Sequence, residues 1–132
     1  MRKYLPLVPL LFILSCENDQ FQLDDQVTQI NVIQVSDRSP SPDQFESDGK
    51  IINQMTAKKK MDQVRNALVK ADVESTENVD LALPTYKVHF LKDNKIVQTL
   101  GYYPQDKDHE AAFLSLEKER IYRLDSSLSL LP

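Results

Sequence analysis

A chain of 132 residues with a formal charge of −4, 41% hydrophobic residues and two glycines has room for one domain and is too apolar to be a disordered chain. Arg2 and Lys3 are the only charged residues before Glu17, so the rest of the chain is more acidic than the total. That argues against nucleic acid as a partner, because binding it rests on Lys and Arg neutralising phosphate. A single cysteine excludes an internal disulfide framework.

The chain opens "MRKYLPLVPLLFILSC", a short basic start followed by eleven apolar residues from Tyr4 to Leu14. A helix crossing a bilayer needs about 20 such residues, so this run is too short to span. Its pattern is that of a secretory signal peptide, over residues 1–15. The run ends Ile13-Leu14-Ser15-Cys16, which resembles the lipobox of bacterial lipoproteins. The resemblance implies a diacylglyceryl group on the Cys16 thiol and cleavage between Ser15 and Cys16, which leaves Cys16 as the new N-terminus. Two acyl chains meet the two-signal requirement for stable anchoring, at about 0.8 kcal/mol per buried CH2. Lipidation also accounts for a lone thiol in an exported chain, where an unpaired cysteine is otherwise an oxidation liability. The expected location is the outer face of the plasma membrane.

Residues 16–26 then form the lipidated N-terminus and tether. The polar, acidic stretch Glu17 to Gln26 reads as a solvated spacer that reaches at most about 35 Å. The domain itself is placed at 27–132. "VTQINVIQVS" (Val27 to Ser36) is β-branched and reads as a strand, with a change of apolar parity between Val32 and Ile33. Either a bulge or a strand covered on both faces accommodates that change. Asp37 to Gly49, with two Ser-Pro steps, reads as a loop, and "KIINQM" (Lys50 to Met55) as a short second strand.

Thr56 is placed as the N-cap of a helix running to Ala71, with Met61, Val64, Leu68 and Ala71 on one face. Lys58, Lys59 and Lys60 in its first turn read as a solvated face rather than a docking patch. Asp72 to Pro84 reads as a polar connection. "YKVHFLK" (Tyr86 to Lys92) alternates, and "KIVQTLGYY" returns across the turn at Asp93-Asn94. A two-residue loop sets Leu91 opposite Ile96, whereas a three-residue loop with a bulge sets Val88 opposite Leu100 and Tyr86 opposite Tyr102. The second makes the better apolar face and is preferred. A last hairpin turns around Glu117-Lys118, with Leu114, Leu116, Tyr122 and Leu124 facing in, and "SSLSLLP" ends in a short turn or frays. The sum is an α+β fold, an antiparallel sheet of about five or six strands with one amphipathic helix packed on one face.

Chemistry is sparse. Catalytic, cofactor-binding and metal-ligating residues are all read as none, and the chain as a non-enzyme. No serine sits in a strand–turn–helix elbow flanked by glycines. His89 points away from Val88 and Phe90 and reads as a surface or partly packed histidine, with no sequence neighbour to make it a general base. Asp106, Asp108, Glu110 and Glu117 fall at positions 1, 3, 5 and 12 of a calcium loop. Ala111 occupies the position that needs glycine, and no entering helix precedes the loop, so the spacing is read as coincidence. His109 in that loop has no second nitrogen or sulfur ligand. Tyr86, Phe90, Tyr102, Tyr103 and Tyr122 are read as core rather than as the lining of a ligand groove.

With those strands in place, "ADVESTENVDLALPTYKVHFLKDNKIVQTLGYY" resembles the YhfM-like family of small lipoproteins from Gram-positive bacteria. The shared features are the lipobox, an N-terminal strand, a helix ending near "ALVKA", a "P-x-Y-K" step into a hairpin, and the later Ile121-Tyr122-Arg123-Leu124 element. Thr85 stands where the family often has an acidic residue. The resemblance implies an anchored α+β domain and supplies no catalytic residues. The functional expectation is an extracytoplasmic module that binds a membrane or cell-wall protein, with small-ligand binding as the alternative.

Overall fold

The computed structural model describes residues 21–23, 26–125 and 128–132. Ser15 and Cys16, with the whole leader, lie outside the described residues. In chain order the elements are β1 (Gln29–Gln34), α1 (Pro42–Ser47), β2 (Lys50–Met55), α2 (Lys58–Val69), β3 (Asp72–Ser75), β4 (Tyr86–Lys92), β5 (Lys95–Tyr103), β6 (Ala112–Ser115) and β7 (Arg120–Arg123). The strands form one antiparallel sheet in the order β2-β1-β4-β5-β6-β7-β3, an α+β fold with seven strands rather than five or six.

Two connections explain that order. β2 and β3 lie at opposite edges, and the chain passes between them through α2. On the way it buries Val64 and Leu68 against Ile30, Val88 and Phe90 of the sheet's inner face. The return from β3 to β4 is residues 76–85, and it crosses the outer face. There Pro84 lies over Gly101, and the Tyr103 hydroxyl donates to the Ala82 carbonyl at 2.6 Å. A Cβ on residue 101 would sit 2.6 Å from Pro84 Cγ, so only glycine admits the crossing.

Inner-face pairs run straight across the sheet: Ile30 with Phe90, Val88 with Leu100, Tyr86 with Tyr102, Tyr102 with Phe113, and Phe113 with Tyr122. Each large apolar side chain fully buried here contributes about 1.5–3 kcal/mol. Of the hairpin aromatics, Phe90, Tyr102 and Tyr122 are fully buried core and Tyr86 packs against it partly buried, whereas Tyr103 is not core and lies half-buried on the outer face. Burial raises the pKa of Tyr102, whose hydroxyl is hydrogen-bonded to the Leu130 backbone.

Several expectations are corrected. Phe21, in the stretch read as spacer, is buried and meets Tyr122 edge-on at 5.5 Å, so the fold begins before Val27. The stretch read as a loop contains α1, started by a capping box in which Ser41 accepts from the Gln44 amide and the Gln44 side chain accepts from the Ser41 amide. Ala57, not Thr56, is the N-cap of α2, with no side-chain cap, and the helix ends at Val69. The polar connection after it begins with β3, whose sequence, Asp-Val-Glu-Ser, is that of an exposed edge.

β1 is covered on both faces, and its register with β4 is unbroken. The irregularity lies in its partner, where Ile52 is the extra residue of β2. In the β4–β5 hairpin both proposed registers occur. Asp93 and Asn94 take positive φ in a two-residue turn, Leu91 faces Ile96, and a bulge at Val97 then brings Val88 opposite Leu100. Phe113, not Leu114, faces the core with Tyr122. Leu114 is buried on the outer face and Leu116 is 53% exposed. The C-terminal tail is tied down, with Leu130 in the core and its carbonyl accepting from Asn53 Nδ2 at 2.9 Å.

Candidate functional site: a groove on the outer face

The outer face is where chemistry collects. Alternation puts Lys87, His89, Thr99, Gly101 and Leu114 on this side of β4, β5 and β6. α1 covers part of this face, held by Lys87 of β4, and residues 82–84 cover another part, over Gly101 and Tyr103 of β5. The result is a groove of about 510 Å3 between α1, the β4–β5 floor and the turn after β6. Phe45 and Glu46 form one wall, Leu116 and Glu117 the other, and Ile96 and Val97 lie toward the hairpin end.

Lys87 is 5% exposed and is the clasp of α1. Its ammonium donates to the Phe45 carbonyl at 2.8 Å and the Glu46 carbonyl at 3.0 Å, and stands 5.9 Å from the centre of the Phe45 ring. These are last-turn carbonyls with no partner inside the helix, where a cation is favoured. Burial lowers the Lys87 pKa, with Asp48 and Glu46 acting in the opposite direction. Gly49, at φ +147°, follows α1 and lets the chain close on Ile33, because a Cβ there would meet Ile33 Cγ2 at 2.4 Å.

His89 does point to the face opposite Val88 and Phe90, as the alternation predicts, and lies between Asn31 and Thr99. It is half-buried, and its pKa is lowered by burial first and by Lys87 second. The groove's accessible charge is therefore acidic. Glu46 and Glu117 are exposed, while the Lys87 charge is buried against α1.

The acidic loop after β5 is organised by itself. Asp106 accepts from the Asp108 and His109 amides at 2.8 and 2.7 Å, which holds its carboxyl below the usual range. Glu117 is separated from this loop by the whole of β6. Among the described residues no three His, Cys, Asp or Glu side chains converge as metal ligands. Lys58 pairs with Asp62 at 3.7 Å on the exposed side of α2.

Sequence reasoning missed the groove because its walls come from the two elements misread. The capping box of α1, Ser41-x-x-Gln44, was the available signal for one. The exposed Leu116 breaks the alternation assumed for the other. No protein-family model, curated protein or solved structure matches the chain.

Proposed function

We propose that this chain is a lipoprotein, anchored through Cys16 to the outer face of the plasma membrane, whose domain acts by binding a protein partner rather than by catalysis. The observation that carries the reading is the grouping of three exposed apolar residues, Ile96, Val97 and Leu116, around one groove. Scattered exposed apolar residues need no explanation, whereas a group beside a concave surface marks an interaction site. Of the titratable groups nearby, Lys87 is taken up in clasping α1.

The burial of Phe21 bears on the anchor. From Cys16 to Phe21 the chain reaches at most about 18 Å, so an acylated Cys16 would hold the domain against the bilayer surface, where a membrane or wall protein is the accessible partner. A second reading uses the same groove for a small ligand, since about 510 Å3 falls in the range of ligand pockets.

The test is crosslinking in intact cells with wild type and Cys16→Ala, followed by identification of what is captured. One membrane or wall protein recovered reproducibly with wild type alone is the expected result. An empty capture together with a small molecule that binds the purified chain in the groove would favour the second reading. Labelled fatty acid on Cys16→Ala would sink the anchor assignment.

A further inference from the structure

β5 is nine residues long, but its pairing with β6 stops at Gly101 opposite Leu114. From Leu100 back to Lys95 it has β4 on one side only. This is an open stretch inside the strand order, separate from the two outer edges of the sheet. The Leu91 carbonyl accepts from the Thr28 amide on the β1 side, so Leu91 and His89 direct their backbone groups to β1, and Val88 and Phe90 direct theirs to β5. By the same alternation Leu100 and Gln98 pair back to β4, and Thr99 directs its N–H and C=O outward, into the space beyond the end of β6.

The sheet's outer edges are defended. β3 has four residues, two of them acidic, and Glu74 is paired with Arg123 at 3.0 Å. β2 is broken by its extra residue at Ile52. The open stretch of β5 carries Lys95 and the bulge at Val97, devices that prevent long strands from stacking. They leave Thr99 exposed, with Ile96 at 54% and Val97 at 46% exposure beside it.

We infer that the partner binds here as an added strand, pairing its backbone with β5 around Thr99 and placing an apolar side chain in the groove between Phe45 and Leu116. This rests on the partner-binding reading and names its mode. Strand addition takes affinity from main-chain hydrogen bonds and specificity from pockets for alternate side chains. The groove's accessible charges, Glu46 and Glu117, select the composition: an extended segment in which an apolar residue is flanked by Lys or Arg.

The probe is the peptide acetyl-KVKLKVK-amide, titrated against the full chain in detergent micelles. The control is the same peptide with alternate backbone nitrogens methylated, which keeps charge and side chains but cannot pair with a strand. Expected results are saturable binding, at least a tenfold loss on methylation, and at least tenfold slower exchange of the Thr99 amide in the complex. Glu46→Gln with Glu117→Gln should weaken binding severalfold without unfolding the chain, since both side chains are exposed. Equal binding of the methylated peptide, or an unmoved Thr99 amide, overturns strand addition. A concentration-dependent dimer that excludes the peptide assigns the stretch to a second copy and also overturns it. If no peptide binds while the in-cell crosslink still yields one partner, the mode is wrong and the partner-binding reading survives. If both fail, both fall.

Discussion

On the inner face of the sheet, Val88, Phe90, Leu100 and Tyr102 make a continuous apolar core with a twelve-residue helix, Phe21 and Leu130. On the outer face the same two strands carry Lys87, His89, Thr99 and Gly101, under a six-residue helix at one side and an irregular crossing at the other. Identical backbone thus supports two regimes. The inner face is held by area removed from water, which is non-directional and shared among many residues. The outer face is held by a few directional devices: a buried ammonium on two carbonyls, a tyrosine hydroxyl on another, and a glycine that admits a proline ring. A face held at points can leave space between them, and the groove is that space.

If this contrast is right, truncation in the core should cost most and act globally. Phe113→Ala removes a fully buried ring packed 5.2 Å from Tyr102 and should lower unfolding free energy by about 3–5 kcal/mol. Denaturant unfolding followed by circular dichroism measures it. A loss under about 1 kcal/mol would mean that the inner face is less continuous than its burial indicates.

Gly101→Ala tests the crossing. Its added methyl meets a proline ring rather than the end of a flexible chain, so residues 76–85 must shift, at a cost of about 1–3 kcal/mol. Faster amide exchange confined to those residues is the signature. Uniform loosening of the core would show that the crossing belongs to the same cooperative unit.

Lys87→Met keeps the aliphatic stem and removes the clasp. Orphaned acceptors cost about 1–3 kcal/mol when they stay buried. Here the lower end is expected, because α1 can lift and return its carbonyls to water. Exchange should quicken in residues 42–47 and stay unchanged in β1 and β4.

A smaller effect is expected from pH. His89 has its pKa lowered below 6.5 by burial and by Lys87, so between that lowered value and 6.5 the unfolded chain binds more protons than the folded one. The stability it contributes is present above 6.5 and is lost as pH falls through the folded value. His89→Gln should flatten that part of the pH profile. An unchanged slope would place the titration elsewhere.

How much of this was legible in the sequence follows the same division. Inner-face elements announced themselves through long periodic patterns: Tyr86, Val88 and Phe90 alternate, and Val64 and Leu68 share a helical stripe. The parity change at Val32 and Ile33 was also readable, since a strand covered on both faces was among its two explanations. Outer-face elements were harder because they are short. Six residues of α1 hold one buried side chain, Phe45, too few to show a period, and β3 buries none fully. Leu114 misled because all four residues of β6 are buried, so alternation did not tell its two faces apart, and Leu116 because alternation was extended past Ser115, where the strand ends. Phe21 was hidden by its setting, a single apolar residue among acids and amides. That Lys87 rather than any acid organises the groove follows only from the sheet bringing Phe45 and Lys87 together across 42 positions.

The smallest effect on stability is the one that bears most on function. Leu116 and Ile96 are about half exposed and support neither face, so Leu116→Ser and Ile96→Thr should each change unfolding free energy by about 0.5 kcal/mol or less. A surface kept only for folding has no reason to hold isoleucine, valine and leucine in water at these positions, since polar residues there would fold as well. If the two substitutions leave stability unchanged and weaken the peptide by tenfold or more, the apolar grouping is explained by binding. Should they instead destabilise the chain by 2 kcal/mol, as buried residues would, then the groove is closed in solution, the outer face is packed like the inner one, and the contrast between the two faces collapses.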